Sequence, residues 1–397
     1  MTIAAVNSAM QRYIDEDILS CVSSMVLKGT EIVHESYLGF SDLESQSPVQ
    51  PDSIFRIASN TKIVTSVALM MLYEQSRFEL DDPVAKFLPE FSDMWVLNAD
   101  AKSSEDCAPA KNPILIRHLL SHSAGLSYGF IEPESIIDQC YNSASLGGLS
   151  PRDSNLEDFV QAVAKLPLAF EPGSGWRYSV ATDVCARLIE VLSDLPADGF
   201  MRKMLLDPLG MEDTDFFVPE SKRSRLLSLY APVDFFDPMA SGLNKYEGNA
   251  ADQASEQPPK FISGGGGLYS TLPDYAEFIR MIVNGGHWQG RHYLKPETLQ
   301  LMRTNQLAAD VGVNFPFWEM PGTVFGLGFA LKAQPAEGES SLAVDEYHWG
   351  GLMGTHSWMA PAANLTGLCF TQRMPGFWHP FSHEFQKLVY AAAESGL

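Results

Sequence analysis

The segment 56–62 reads Arg-Ile-Ala-Ser-Asn-Thr-Lys, and residues 63–72 continue it as Ile-Val-Thr-Ser-Val-Ala-Leu-Met-Met-Leu. The second stretch is apolar nearly all round, which predicts a helix buried in the core rather than one lying on the surface. Ser59 falls where this helix begins, and Lys62 lies three residues further on. That spacing places both side chains on one face, about one turn apart. The segment therefore predicts a Ser-x-x-Lys pair at the start of a buried helix.

This pair has a specific chemical use. A serine hydroxyl is a poor nucleophile until a neighbouring group accepts its proton, and a lysine does so when burial disfavours its charged form. The start of a helix also supplies backbone N–H groups and a positive dipole end, which favour the negative charge formed on attack. Many helices hold serine and lysine three apart by chance, so other motifs have to support the hypothesis.

Composition limits the classes of function. The chain has 397 residues, of which 45% are hydrophobic and 19% charged, as is typical of a globular protein. Its 49 acidic and 27 basic residues leave a net charge of -22, which argues against binding to nucleic acid or to a membrane surface. The five cysteines are widely spaced, so neither a disulfide framework, a metal site nor a cofactor is predicted. Without a signal segment or an apolar span, the sequence predicts a cytoplasmic protein.

Strand and helix patterns divide the chain. Alternating or apolar runs indicate strands near both termini, at 21–27, 32–40, 325–331, 345–349, 356–360 and 365–372. Between 78 and 260 the pattern is mainly short helices and long loops, and 80–83 looks like one helix start. The predicted fold class is α+β, with a single antiparallel sheet built from both termini and flanked by helices. The predicted domains are a sheet domain of residues 1–77 and 261–397 and a mostly helical domain of residues 78–260.

Two other motifs have competing interpretations. Residues 125–129, Gly-Leu-Ser-Tyr-Gly, match the Gly-x-Ser-x-Gly elbow of α/β-hydrolases around Ser127. That elbow needs a strand before the serine, whereas 114–122 looks helical, so the match is interpreted as a turn. His118 and His122 have the spacing of a metalloprotease pair but lack the glutamate beside the first histidine, so they are interpreted as structural.

Three loop segments complete the candidate site. Residues 172–180, Pro-Gly-Ser-Gly-Trp-Arg-Tyr-Ser-Val, present the phenol of Tyr178, which beside a buried lysine relays protons but is also a common packing residue. Residues 347–354, Tyr-His-Trp-Gly-Gly-Leu-Met-Gly, are a glycine-rich strand end whose backbone N–H groups suit an oxyanion hole, or equally a bulge. Four glycines at 264–267 lack the Gly-Lys-Ser/Thr of a phosphate loop and predict close backbone packing.

In this order, these segments resemble the serine β-lactamase and penicillin-binding-protein superfamily. The closest resemblance is to family VIII carboxylesterases, which have the class C β-lactamase fold, and it extends to fungal statin-side-chain acyltransferases. The resemblance covers nearly the whole chain, from about residue 10 to 395. The matching segments are 59–62, 117–126, 170–179, 264–267 and 349–351.

The resemblance implies roles for four residues. Ser59 is the nucleophile that forms an acyl-enzyme, and its backbone N–H is one donor of the oxyanion hole. Lys62 and Tyr178 are the general base system. Tyr128 lines the substrate pocket.

The same resemblance places 348–350 or 349–351 at the Lys-Thr-Gly box of the lactamases. His348 and Trp349 then contact substrate. The second oxyanion N–H belongs to Gly351 or Leu352, and the spacing to Gly354 favours Gly351.

Two departures from the lactamase pattern bear on the substrate. The lactamases keep asparagine where this chain has Val180, and lysine where it has His348 or Trp349. Both changes remove polar contacts to a β-lactam, so the predicted function is a serine carboxylesterase that cleaves small neutral esters. The alternatives are an acyltransferase using the same acyl-enzyme, a weak β-lactamase or D-amino-acid peptidase, and an inactive binding protein of the same fold. The only predicted partner is a small-molecule ester.

Overall fold

The centre of the molecule is an eight-stranded antiparallel sheet. The structure is a computed structural model that describes residues 4–147, 153–247, 258–316 and 318–396. The strands of the sheet are Cys21–Lys28 (β1), Glu31–Asp42 (β2), Ser47–Pro48 (β3), Thr323–Phe325 (β4), Ala330–Lys332 (β5), Tyr347–Gly351 (β6), Thr355–Ala360 (β7) and Leu365–Phe370 (β8). Their spatial order is β4-β5-β6-β7-β8-β1-β2-β3. The strand β8 pairs with β1, so both ends of the chain build one sheet, which confirms the predicted fold class.

Helices surround this sheet. They are Ala4–Asp15 (α1), Thr61–Glu74 (α2), Ile116–Leu120 (α3), Ile136–Ser143 (α4), Leu156–Val163 (α5), Ala181–Ser193 (α6), Ala197–Met201 (α7), Asp207–Leu209 (α8), Leu272–Val283 (α9), Pro296–Met302 (α10) and Pro380–Glu394 (α11). Five short strand pairs lie outside the sheet: Phe55–Arg56 with Tyr269–Ser270, Trp95–Leu97 with Cys107–Pro109, Tyr230–Pro232 with Leu243–Lys245, His287–Trp288 with Arg291–His292, and Asn314–Phe315 with Trp318–Glu319.

Both faces of the sheet are covered. One face packs against α1 and α11 through buried side chains such as Val22, Trp358 and Phe385. The other face packs against α9, where the rings of Tyr275 and Phe370 lie 5.7 Å apart. The helix α2 belongs to the same core and packs against α6. Every α2 residue from 61 to 72 is buried, which confirms the prediction of a core helix rather than a surface one.

Two local predictions were wrong. The expected strand 325–331 is a hairpin, because Gly328 turns the chain with a φ of 93° between β4 and β5. A Cβ at Gly328 would lie 2.4 Å from the side chain of Ser66, so only glycine fits there. The helix expected from 80–83 is a 3₁₀ turn, Val84–Lys86. The Val84 N–H donates a hydrogen bond to the carbonyl of Ile114, so it pairs with another segment of the chain rather than with a helix.

The strands of the sheet all lie outside residues 78–260, and α3 to α8 lie inside that range. The division into a sheet domain and a helical domain, with its boundaries at 77/78 and 260/261, stays a prediction. Residues 248–257, close to the second boundary, lie outside the described residues.

Candidate active site

Ser59 is presented by a strained turn. It lies in the 3₁₀ turn Ala58–Asn60, which runs directly into α2. Ala58 has a left-handed φ of 45°, a conformation that costs a non-glycine residue about 1–2 kcal/mol. The Thr61 hydroxyl fixes the turn by donating to the Ala58 carbonyl at 2.6 Å. The turn leaves the Ser59 side chain partly exposed while its neighbours are buried.

Lys62 is buried beside this serine. Lys62 is only 2% exposed, and its Nζ donates a hydrogen bond to Ser59 Oγ at 3.3 Å. The same nitrogen donates to the phenol of Tyr128 at 3.1 Å and to the Gly265 carbonyl at 2.5 Å. The structure therefore brings the Ser-x-x-Lys pair together, and it places Tyr128 on the lysine.

The glycine run 264–267 packs tightly, as the sequence predicted. A Cβ on Gly264 would lie 2.7 Å from the side chain of Ala186, and one on Gly265 would lie 2.8 Å from Asp183 Oδ2. Asp183 holds the run in place, since its Oδ1 accepts the Gly265 N–H at 3.0 Å and the Ser263 hydroxyl at 2.8 Å. The role of the Gly265 carbonyl as an acceptor for the lysine had no signal in the sequence.

Tyr178 faces the lysine with its ring. The Lys62 Nζ lies 4.6 Å from the centroid of that ring, and the rings of Tyr178 and Tyr128 are 5.4 Å apart. The Tyr178 oxygen accepts a hydrogen bond from the indole N–H of Trp349 at 3.3 Å. Among the described residues, no hydrogen bond joins Tyr178 to Ser59 or Lys62. The predicted catalytic residues are thus adjacent, with Trp349 joined to them.

His348 does not share this position. Successive residues of β6 point to opposite faces of the sheet, so the His348 side chain lies on the α11 side. There its Nδ1 lies 3.2 Å from the buried carboxylate of Glu346. It lines a cleft of about 120 Å³, whose other walls include Trp349, Phe377 and His383. The pair predicted to contact substrate is therefore divided, and only Trp349 reaches the catalytic candidates.

The end of β6 lies against the turn that carries Ser59. A Cβ on Gly351 would lie 2.4 Å from the Ile57 carbonyl and 3.1 Å from Ala58 Cβ. The Gly351 carbonyl points toward β7, because it accepts the Gly354 N–H at 2.9 Å across a three-residue loop. In a trans peptide the next N–H points the opposite way, so the Leu352 N–H points away from β7. The choice between Gly351 and Leu352 as the second oxyanion donor stays a prediction.

Ser127 and His122 are structural here. The Ser127 hydroxyl is fully buried and lies 2.5 Å from Asp138 Oδ1, to which it donates. His122 is buried with its Nδ1 3.2 Å from Ser179 Oγ. Burial, and next the charge of Lys62, hold the pKa of His122 well below its usual value, so this imidazole is neutral. Both findings agree with the interpretation of these motifs as turn and packing residues.

Aromatic rings enclose the side of Tyr178 away from the lysine. Phe315 contacts its ring at 5.5 Å and Trp176 at 6.4 Å. Phe325 and Phe377 pack on Trp349 at 5.4 Å and 5.3 Å. The position where the resemblance expects the lactamase lysine is therefore surrounded by apolar surface.

Comparison with known proteins decides the family. The Beta-lactamase family model matches residues 6–391. The chain belongs to the β-lactamase family. This β-lactamase family member is similar to esterase EstB from Burkholderia gladioli, with 29% identity over 379 residues that cover 93% of this chain and 90% of EstB. It is also similar to acyltransferase calJ from Penicillium decumbens, with 28% identity over 368 residues that cover 88% of this chain and 83% of that protein.

A solved structure shows the same fold. EstCE1, a hydrolase with promiscuous acyltransferase activity, superimposes with a TM-score of 0.80 and 24% identity over 98% of both chains. The predicted superfamily is therefore confirmed for this β-lactamase family member. None of the helices within the described ranges is long and apolar enough to cross a membrane. The described residues also contain no group of three or more histidine, cysteine or acidic side chains placed to hold a metal ion.

Proposed function

We propose that this protein is a serine carboxylesterase acting on small neutral esters. One observation carries the proposal: the Lys62 Nζ, in a residue only 2% exposed, lies 3.3 Å from the Ser59 hydroxyl. A lysine nitrogen at this distance is within hydrogen-bonding reach of the serine hydroxyl, as a general base must be. The likeness to esterase EstB supports an ester as the substrate.

The reaction runs in two halves. Ser59 Oγ attacks the ester carbonyl carbon while its proton passes to Lys62, and the C–O bond to the alcohol breaks. The proton then passes from Lys62, by way of the Tyr178 phenol, to the departing alkoxide, which leaves as the alcohol. A water molecule then attacks the acyl carbon and gives one proton to the same base. The bond from that carbon to Ser59 Oγ breaks, the base returns the proton to Ser59 Oγ, and the carboxylic acid leaves.

The charge on the carbonyl oxygen needs two donors. We assign them to the backbone N–H groups of Ser59 and Leu352. The Leu352 N–H points away from β7, and within the described part of the chain it makes no hydrogen bond. A preorganised donor of this kind contributes on the order of a hundredfold or more in rate.

The surroundings favour a neutral substrate. Val180 is 1% exposed and offers no polar atom where the lactamases keep asparagine. Trp349 is 2% exposed and donates its N–H to Tyr178, so it brings no positive charge for a substrate carboxylate. Tyr128 and Trp349 are the side chains that we expect to contact the ester.

Acyl transfer is the second candidate, because an acyl-enzyme also reacts with an alcohol or amine. The similarity to acyltransferase calJ supports acyl transfer as this second candidate. A screen of p-nitrophenyl esters of increasing acyl length, with and without an added alcohol or amine and with a cephalosporin in parallel, tests both functions. Release of p-nitrophenol that is lost in Ser59→Ala supports the esterase, and an acylated acceptor supports the transferase. No turnover of any substrate contradicts both and leaves a binding protein.

A further inference from the structure

A buried ion pair lies beneath the two tyrosines. Asp138, in the first turn of α4, is completely buried, and its Oδ1 accepts from Arg177 Nη2 at 2.8 Å. The Arg177 side chain is only 14% exposed. It also donates from Nη1 to Glu132 at 2.6 Å and from Nη2 to Ser135 at 3.3 Å. None of these groups touches Ser59 or Lys62 in the described structure.

The pair joins the two loops that carry the tyrosines. Arg177 immediately precedes Tyr178 in the chain, and Ser127 immediately precedes Tyr128. The Arg177 Nε donates to Ser127 Oγ at 2.7 Å, and that hydroxyl donates to Asp138 at 2.5 Å. The second oxygen of Asp138 accepts the Glu132 N–H at 2.7 Å, which fixes the loop just after Tyr128.

Both tyrosines converge on one nitrogen. The Tyr128 oxygen lies 3.1 Å from the Lys62 Nζ, and the Tyr178 ring centroid lies 4.6 Å from it. The rings of the two tyrosines pack 5.4 Å apart, and their relative position also depends on the segments behind them. Those segments are joined by the Val180 N–H, which donates to the Ser127 carbonyl at 3.3 Å, and by the side chains of Arg177, Asp138 and Ser127.

We propose that Arg177 and Asp138 are positioning residues that set the spacing of Tyr128 and Tyr178 across Lys62. This inference rests on the proposed function, since it concerns how the same proton-transfer site is held. A charged, multidentate contact in a buried site fixes geometry more tightly than apolar packing, because each bond has a preferred distance and direction. The inference also gives Ser127 a role: its hydroxyl is a joint between loops rather than a nucleophile.

The test measures the reaction rate of each variant relative to its number of intact active sites. Asp138→Asn keeps the side-chain size and removes the negative charge, and Arg177→Gln removes the positive charge with a shorter side chain. We expect kcat for a p-nitrophenyl ester, and the rate of labelling by a fluorophosphonate, to fall by about a hundredfold with KM little changed. Arg177→Lys keeps the positive charge but lacks the several planar donors of the guanidinium, so its rate should lie between those of Arg177→Gln and the wild type. Active sites are counted by the final extent of labelling, so loss of fold is not mistaken for loss of rate.

A matched pair provides the control. Arg225 binds Asp213 through both carboxylate oxygens, and it makes no hydrogen bond to a site residue in the described chain. Asp213→Asn should lower the melting temperature and leave the labelling rate unchanged. Because Asp138→Asn risks failing to fold, Ser127→Ala is the milder variant, with an expected loss of about tenfold.

The outcomes separate the two proposals. Wild-type rates in the folded Asp138, Arg177 and Ser127 variants overturn the positioning role while leaving the esterase intact. If Asp213→Asn also lowers the labelling rate, and by as much as Asp138→Asn does, the positioning role is overturned as well, because the effect is then one of general stability. A wild-type protein that is never labelled refutes the proposed function itself.

Discussion

The indole N–H of Trp349 donates a hydrogen bond to the phenol oxygen of Tyr178 at 3.3 Å. Both residues are buried, at 2% and 7% exposure, and their rings lie 5.2 Å apart. A donor aimed at a phenol oxygen stabilises that oxygen as negative charge develops on it. The indole is a neutral donor, so it brings no charge to the phenol of Tyr178.

Trp349→Phe should slow the reaction. It keeps an aromatic ring against Tyr178 and removes only the donor. A hydrogen bond to a charged acceptor is worth about 1.5–3 kcal/mol, so kcat/KM for a p-nitrophenyl ester should fall by about tenfold to a hundredfold. Steady-state kinetics of the purified variant and the wild type measures this loss.

The control for this variant is Trp358→Phe. Trp358 is 4% exposed on the opposite face of the sheet, and its indole N–H has no hydrogen-bond partner among the described residues. We expect wild-type kinetics from it. Equal kcat/KM in the wild type and Trp349→Phe would show that the donor to Tyr178 has no catalytic effect.

Lys62 should not be replaceable by arginine. Lys62→Arg keeps a positive charge near Ser59, but a guanidinium does not give up its proton and cannot act as a base. Lys62→Arg and Lys62→Met should therefore both lose about 10²–10⁴-fold in the rate of Ser59 acylation, measured with a fluorophosphonate in excess. Lys332→Arg, a buried lysine paired with Glu339 at 3.0 Å, should react as the wild type does. Activity retained in Lys62→Arg would remove the lysine from the role of base.

Gly351→Ala should damage both stability and activity. The added methyl group would lie 2.4 Å from the Ile57 carbonyl and from Thr355 Oγ1, so the strand end has to move away from the turn that carries Ser59. Overpacking of this kind costs about 1–3 kcal/mol of unfolding free energy. Urea unfolding and labelling rates measure the two losses.

Gly199→Ala in α7 is the opposite case. There the nearest side-chain atom would be 3.8 Å from the new Cβ. Helix propensity alone should raise the unfolding free energy by about 0.5–1 kcal/mol with unchanged activity. Similar stability in the two variants would contradict the close approach of β6 to the Ser59 turn.

Acid should destabilise the fold through buried histidines such as His379. Burial, and next the charge of Arg373, lower the pKa of His379 to about 4. Between about pH 6.5 and 4 the unfolded chain binds a proton that the folded chain does not, so the unfolding free energy falls as pH falls, by up to about 1.4 kcal/mol per pH unit. Urea unfolding between pH 7 and about 4 should show this slope.

His379→Asn should flatten that slope. In the folded protein the His379 Nδ1 accepts the Phe381 N–H at the start of α11, at 3.2 Å. An asparagine oxygen caps the same N–H but does not titrate. Identical slopes in the wild type and His379→Asn would contradict the contribution of His379.

The sequence predicted the parts of the site that are local. Ser59 and Lys62 are one helical turn apart, so their spacing alone brings them together. The apolar run behind them predicted the burial that the chemistry needs. Strand patterns at both ends of the chain predicted a single sheet.

The contacts that the sequence could not supply are long-range. Trp349 and Tyr178 are separated by 171 residues, and Arg177 and Asp138 by 39. Neither separation follows a periodic pattern, so only the folded chain shows which donor meets which acceptor. The division of His348 from Trp349 was missed for a related reason, since it depends on which face of the sheet packs against α11.

The most direct test of an activated Ser59 is the site of covalent labelling. The full-length protein is treated with a fluorophosphonate, digested and mapped by mass spectrometry. We expect one adduct, on Ser59, that disappears in Ser59→Ala and persists in Ser127→Ala. An adduct on Ser127, or equal labelling of the wild type and Ser59→Ala, would contradict the assignment of Ser59 as the nucleophile.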